Sequence, residues 1–160
     1  MKSKLAVLAC IALALGFVGV ATASNIDQHT VTVTLSSINE IDITGGNIEL
    51  TINAATAGEE PNEVNNSTCG LDWTTTDTTK KITVETNLTG FNLTLKALAQ
   101  SVTGGTAAAE VTLSDTPQNF VIGVSKTTGG CTIKYTAAAT ASDGPPHSEV
   151  HTVKYTLTAV

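Results

Sequence analysis

Threonine alternates with apolar residues along most of this chain, and that alternation decides the fold class. Val31, Val33 and Leu35 are interleaved with Thr30, Thr32 and Thr34. Ile48, Leu50 and Ile52 alternate with polar neighbours, and Val153, Tyr155 and Leu157 do the same near the end. A two-residue period puts one set of side chains on a buried face and the other on a wet face, which only a strand can do. Threonine makes up roughly one residue in five, several times the usual share. Its branched Cβ favours extended backbone and its hydroxyl tolerates water, so it suits the wet face. After the first 23 residues no 3.6-residue period persists, although Leu95–Val102 is compatible with a helical turn.

Turn signals punctuate these runs: Gly45-Gly46, Asp77-Thr78-Thr79, Asn87–Gly90, Pro117, Gly129-Gly130 and Asp143-Gly144-Pro145-Pro146. Short strands at near-regular spacing predict an all-β protein, an antiparallel β-sandwich of about 8–10 strands, with a β-barrel as the alternative. The architecture is Ig-like only in outline. Trp73 follows Cys69 by four residues, closer than the Cys-Trp-Cys spacing of immunoglobulin domains. A polar loop is expected from Ala54 to Thr68.

Residues 1–23 have the form of a cleavable signal peptide. Lys2 and Lys4 precede an apolar run from Leu5 to about Val20, and Ala21-Thr22-Ala23 ends it with small residues. The run is shorter than the roughly 20 residues of a spanning helix. The expectation is therefore secretion or delivery to the cell envelope, with residues 24–160 forming one β-sandwich domain and no transmembrane span after cleavage. Of 8 basic and 14 acidic residues, Lys2 and Lys4 leave with the signal. The remainder is strongly acidic and has no basic stripe, which excludes nucleic acid as a partner.

Three cysteines become two when Cys10 departs. Cys69 shares parity with Leu71 and Trp73, and Cys131 with Ile133 and Tyr135, so both should face inward. In an exported chain this pair predicts one disulfide, Cys69–Cys131.

Candidate ligand groups are sparse. His147, Glu149 and His151 would share one face of a final strand beginning at His147 or Ser148, a donor set suited to zinc or copper. Against this, the same face continues into Val153, Tyr155 and Leu157. Glu59, Glu60 and Glu63 lie in the oxygen-rich 54–68 loop and are candidate calcium ligands, although Pro61 and the absence of a DxDxG order depart from known calcium loops. With only His29, His147 and His151 available as imidazole bases and no GxSxG turn, the chain does not read as an enzyme. The few aromatics share parity with the apolar positions, which argues against a stacking face for sugars.

Gly104–Ser125, GGTAAAEVTLSDTPQNFVIGVS, and Ser148–Val160, SEVHTVKYTLTAV, resemble a group of uncharacterised exported bacterial Thr-rich β-sandwich proteins. Those chains carry a GTAAG-VTLST segment, a Gly-Cys motif before a strand and a closing TVTYTLT strand. The resemblance covers the chain from residue 29 onward. It implies a bacterial envelope or extracellular β-domain and transfers no catalytic or binding residue.

The resulting expectation is a secreted, non-enzymatic structural or adhesive protein of the cell surface, with self-association through its terminal strands into a pilus-like fibre as the partner reading. A soluble carbohydrate- or calcium-binding module is the alternative. No cofactor is expected, with calcium the one that the acidic loop leaves open.

Overall fold

A computed structural model describes residues 25–89 and 92–160. The signal segment, Cys10, Gly90 and Phe91 lie outside the described residues. The chain divides into residues 1–34 and Leu35–Val160. In the first part, the described residues 25–34 contain no strand or helix and are exposed throughout.

Among its described residues the second part contains nine strands: β1 Asn39–Thr44, β2 Val64–Thr75, β3 Lys80–Thr86, β4 Thr94–Thr103, β5 Thr106–Ala107, β6 Val111–Thr112, β7 Gln118–Val124, β8 Thr127–Ala138 and β9 Val153–Ala159. A single 3-10 turn, Ala141–Asp143, interrupts the β8–β9 connection. The strands form a five-stranded sheet, β1-β2-β8-β4-β6, and a four-stranded sheet, β5-β7-β3-β9. All pairings are antiparallel. Among the described residues each sheet keeps two free edges, so the architecture is a sandwich and the barrel alternative does not hold. Leu95–Val102 is part of β4, so the helical turn is not formed there.

The core follows from parity. Leu71, Trp73, Ala97, Leu113 and Ile133 come from the five-stranded sheet and its flanks, and Ile82, Val84, Phe120, Val121, Val124 and Tyr155 from the other. These side chains form one cluster. Phe120 meets the Tyr155 ring edge-on, with centroids 4.9 Å apart and planes at 61°. Such aromatic geometry adds to the area term. The Tyr135 and Tyr155 hydroxyls hydrogen-bond at 2.9 Å across the two sheets. Buried phenols need such partners, and here each supplies the other's.

Two expected strands are absent. Val31, Val33 and Leu35 are 71%, 89% and 74% exposed and pair with nothing named above. Alternation confers the capacity to pair, but it does not by itself dock a segment on an edge of its own sandwich. Ile48–Ile52 is likewise not a strand, although Ile48 and Leu50 lean on the core. Gly45 turns the chain away after β1. Its φ is +98°, and a Cβ there would sit 2.6 Å from the Thr68 carbonyl oxygen, so only glycine fits. The expected 54–68 loop is shorter than its sequence suggests, because β2 begins at Val64.

The disulfide expectation is also revised. Cys69 and Cys131 are buried and share the core cluster, as parity requires, yet they are free thiols. Cys69 stands opposite Ile133 and Cys131 opposite Leu71. The two cysteines are therefore diagonal neighbours, whose Cα atoms typically lie ~7–8 Å apart, beyond ordinary disulfide reach. The Cys69 thiol instead donates to the Gly46 carbonyl at 3.4 Å. Burial, and then the negative charge of Asp72, push the Cys131 thiol up to about 11, so it carries little thiolate.

Candidate functional site

Three places on the molecule gather polar or uncovered apolar groups: the 147–151 segment, the 54–63 loop, and the margin where β1 and β9 lie side by side. The first two draw on side chains that the sequence singled out.

His147, Glu149 and His151 do come together, but on irregular backbone, since β9 starts at Val153. Glu149 is the centre. Its Oε1 lies 3.4 Å from His147 Nε2, and its Oε2 lies 3.6 Å from His151 Nε2. The same carboxylate accepts the backbone N–H of Asn92 at 2.7 Å and of Leu93 at 3.3 Å. His147 Nδ1 bonds the Pro145 carbonyl at 3.0 Å, and His151 Nδ1 shares a hydrogen bond of 3.2 Å with Thr86 Oγ1. The imidazoles approach different oxygens of one carboxylate whose lone pairs already face N–H groups. No group of three or more side chains that could hold a metal ion is found among the described residues. The metal expectation is therefore replaced by a polar latch that ties residues 92–93 to the chain entering β9.

The charges in this latch depend on pH. The Pro145 carbonyl opposite Nδ1, outweighing desolvation and helped by Glu149 and Asp143, raises the His147 pKa above its ordinary 6.5. Burial opposes ionisation of Glu149. The backbone N–H groups of Asn92 and Leu93, and then His147, outweigh it and hold the carboxyl below 4.5. The raised imidazole stabilises fully below 6.5, and that contribution fades as pH rises through the folded value. The lowered carboxyl stabilises above 4.5 and fades as pH falls. Amide protection at Asn92 and Leu93 should therefore peak between those limits, and Glu149→Gln should flatten the dependence. Protection factors measured by NMR across pH 4–8 test this; an unchanged profile in the variant would contradict it.

The candidate calcium ligands diverge. Glu63 pairs with Lys96 on β4 at 2.9 Å, while Glu60 accepts the Ala141 backbone N–H at 2.5 Å. The loop is closed by an Ala55–Pro61 bridge, by Asn62 N–H to the Ala54 carbonyl at 2.8 Å, and by a turn in which Glu59 N–H donates to Thr56. The Glu63 and Glu60 carboxylates thus tether the loop to β4 and to the 3-10 turn. The described aromatics Trp73, Phe120, Tyr135 and Tyr155 are all buried, so none of them offers a ring to a sugar.

The β1–β9 margin was not legible in the sequence. β1 is the outer strand of one sheet and β9 of the other. Ile41, Asp42, Ile43, Val153, Lys154 and Tyr155 line an open cleft of about 350 Å³ between them. Ile43 is 45% exposed there. Just before β1 the chain is pinned: Ser37 Oγ and Asn39 Nδ2 donate to Asp77 at 2.9 and 2.8 Å, and Ile38 N–H donates to Thr76 Oγ1 at 2.8 Å. The Asn39 and Ser37 side chains and Lys80 together hold the Asp77 carboxyl below its ordinary range. No helix among the described residues is long and apolar enough to cross a membrane. No protein-family model and no curated protein matches this chain.

Proposed function

We propose that this protein is an exported, non-enzymatic structural component of a bacterial surface, and that it works by assembling with itself. The observation that carries this reading is the uncovered segment ahead of β1. Val31, Val33 and Leu35 expose three apolar side chains on one parity, in a stretch without regular structure. A lone exposed aliphatic residue is ordinary, but an alternating row of them is a half-built strand. It precedes in sequence a sandwich whose outer strands, among the described residues, also retain unpaired edges. Extended segments and open edges complete one another in chain-to-chain assembly. The apolar leader at residues 1–23 and the motif resemblance described above support an extracellular setting.

The protein recovered after export should form concentration-dependent multimers. Size-exclusion chromatography with light scattering, followed by electron microscopy, reads this directly. A strict monomer at every concentration up to the millimolar range would remove the proposal.

A further inference from the structure

The geometry points to the cleft between β1 and β9 as the acceptor for residues Thr30–Leu35 of a second copy, which enter as a strand added to the β9 edge. This inference rests on the self-assembly reading and names its contact site.

The acceptor has the features an added strand needs. All seven residues of β9 pair with β3 on one side, and among the described residues no strand covers the other side. Peptide groups along that side can receive a neighbour at ordinary sheet spacing. Ile41, Ile43, Val153 and Tyr155 give the cleft an apolar lining. Leu157 and Val153 are only partly covered.

The donor matches in length, period and polarity. Six extended residues span about 20 Å, close to the reach of β9 itself. Val31, Val33 and Leu35 would point into the cleft, extending the row of Val153, Tyr155 and Leu157. Thr30, Thr32 and Thr34 would point outward, beside Thr156 and Thr158 on the wet face of β9.

Charge favours this occupant over the alternatives. Residues 28–39 carry no Asp, Glu, Lys or Arg. The cleft has two charged lining residues of opposite sign, Asp42 and Lys154, and Lys154 already pairs with Glu85. A neutral strand thus enters without burying an unmatched charge. Charged residues on exposed edges also discourage edge-to-edge pairing between whole sandwiches, leaving a neutral flexible segment as the better partner.

Two single variants and their mixture test the assignment on the exported protein. Val33→Asp places a charge on a donor residue that is 89% exposed, so the sandwich should be unaffected. Ile43→Lys places one in the acceptor. Each alone should weaken self-association by about tenfold or more, equivalent to ~1.4 kcal/mol. Mixed, the two should form a heterodimer, because the Ile43→Lys chain keeps its donor and the Val33→Asp chain keeps its acceptor. Amide exchange gives a readout independent of how Ile43→Lys folds. The N–H groups of β9 should be slower in the wild-type assembly than in monomeric Val33→Asp. Wild-type assembly that survives Val33→Asp would overturn the donor while leaving self-assembly standing. Heterodimer failure with unprotected β9 amides would overturn the acceptor. A monomeric wild type whose segment is protected would show closure within one copy, and it would overturn both this assignment and the self-assembly reading.

Discussion

Phe120→Ala should remove about 3–5 kcal/mol of folding stability, the cost usual for deleting a fully buried phenylalanine. Phe120 is 1% exposed and belongs to the cluster shared by both sheets. Three losses coincide at this position. The ring's burial is forfeited, a cavity remains because antiparallel ladders on either side resist collapse, and the edge-on contact with Tyr155 disappears. Tyr155 also carries the inter-sheet hydrogen bond to Tyr135, so the aromatic contact and the bond should weaken together. Domains of this size have total stabilities near 5–15 kcal/mol, so the variant should be marginal at 37 °C. Denaturant unfolding measures it: the midpoint should fall at nearly constant slope. A loss below about 1 kcal/mol would show that the two sheets repack freely.

Gly129→Ala should cost about 2–3 kcal/mol although it adds a single methyl group. Gly129 lies directly opposite Trp73 in the β2–β8 ladder. A Cβ there would meet Trp73 Cε2 and Nε1 at 2.7 Å and would lie inside the contact distance of the Thr103 carbonyl oxygen. Backbone on one side and a buried indole on the other leave no cheap adjustment, and overpacking of this kind destabilises. The indole must move, and its N–H is already buried without a hydrogen-bond partner. Because Trp73 is the only tryptophan, its fluorescence reports the displacement alone. The variant should show an altered emission maximum together with a lower unfolding midpoint. Unchanged emission at unchanged stability would mean that β8 shifts without disturbing Trp73.

Parity made the interior of the sandwich readable in advance. Leu71 and Trp73, Ile82 and Val84, and Ile133 and Tyr135 all face inward as their alternation requires, because a side chain's face depends only on position along its own strand. What parity cannot supply is the neighbour. Cys69 and Cys131 were correctly placed on one face, but their register relative to each other depends on the one-residue irregularity between Asn66 and Cys69, which no local pattern announces. Val31, Val33 and Leu35 look like a strand because the pattern records what a segment could pair with. It does not record whether the segment docks on an edge of its own copy. The 147–151 group illustrates a third limit. The spacing foresaw that two imidazoles and a carboxylate would meet. It could not foresee that N–H groups from residues 92 and 93, some sixty positions away, would occupy the carboxylate first. The β1–β9 cleft arises from sheet order alone and has no sequence signature.

The hydrogen bonds around Asp77 give the molecule a defined mechanical entry point. Tension applied at Leu35 and Ser36 reaches the sandwich at Ser37–Asn39, where Asp77 and Thr76 grip the chain from the β2–β3 turn. Beyond that grip, β1 is laid antiparallel along β2 from Asn39 opposite Thr75 to Thr44 opposite Gly70. A pull along the strand therefore loads these ladder bonds together in shear, whereas a pull across it would open them one at a time. The turn that looks like a simple reversal in the chain thus acts as a strain relief, sharing force between two strands before the first of them can be drawn out.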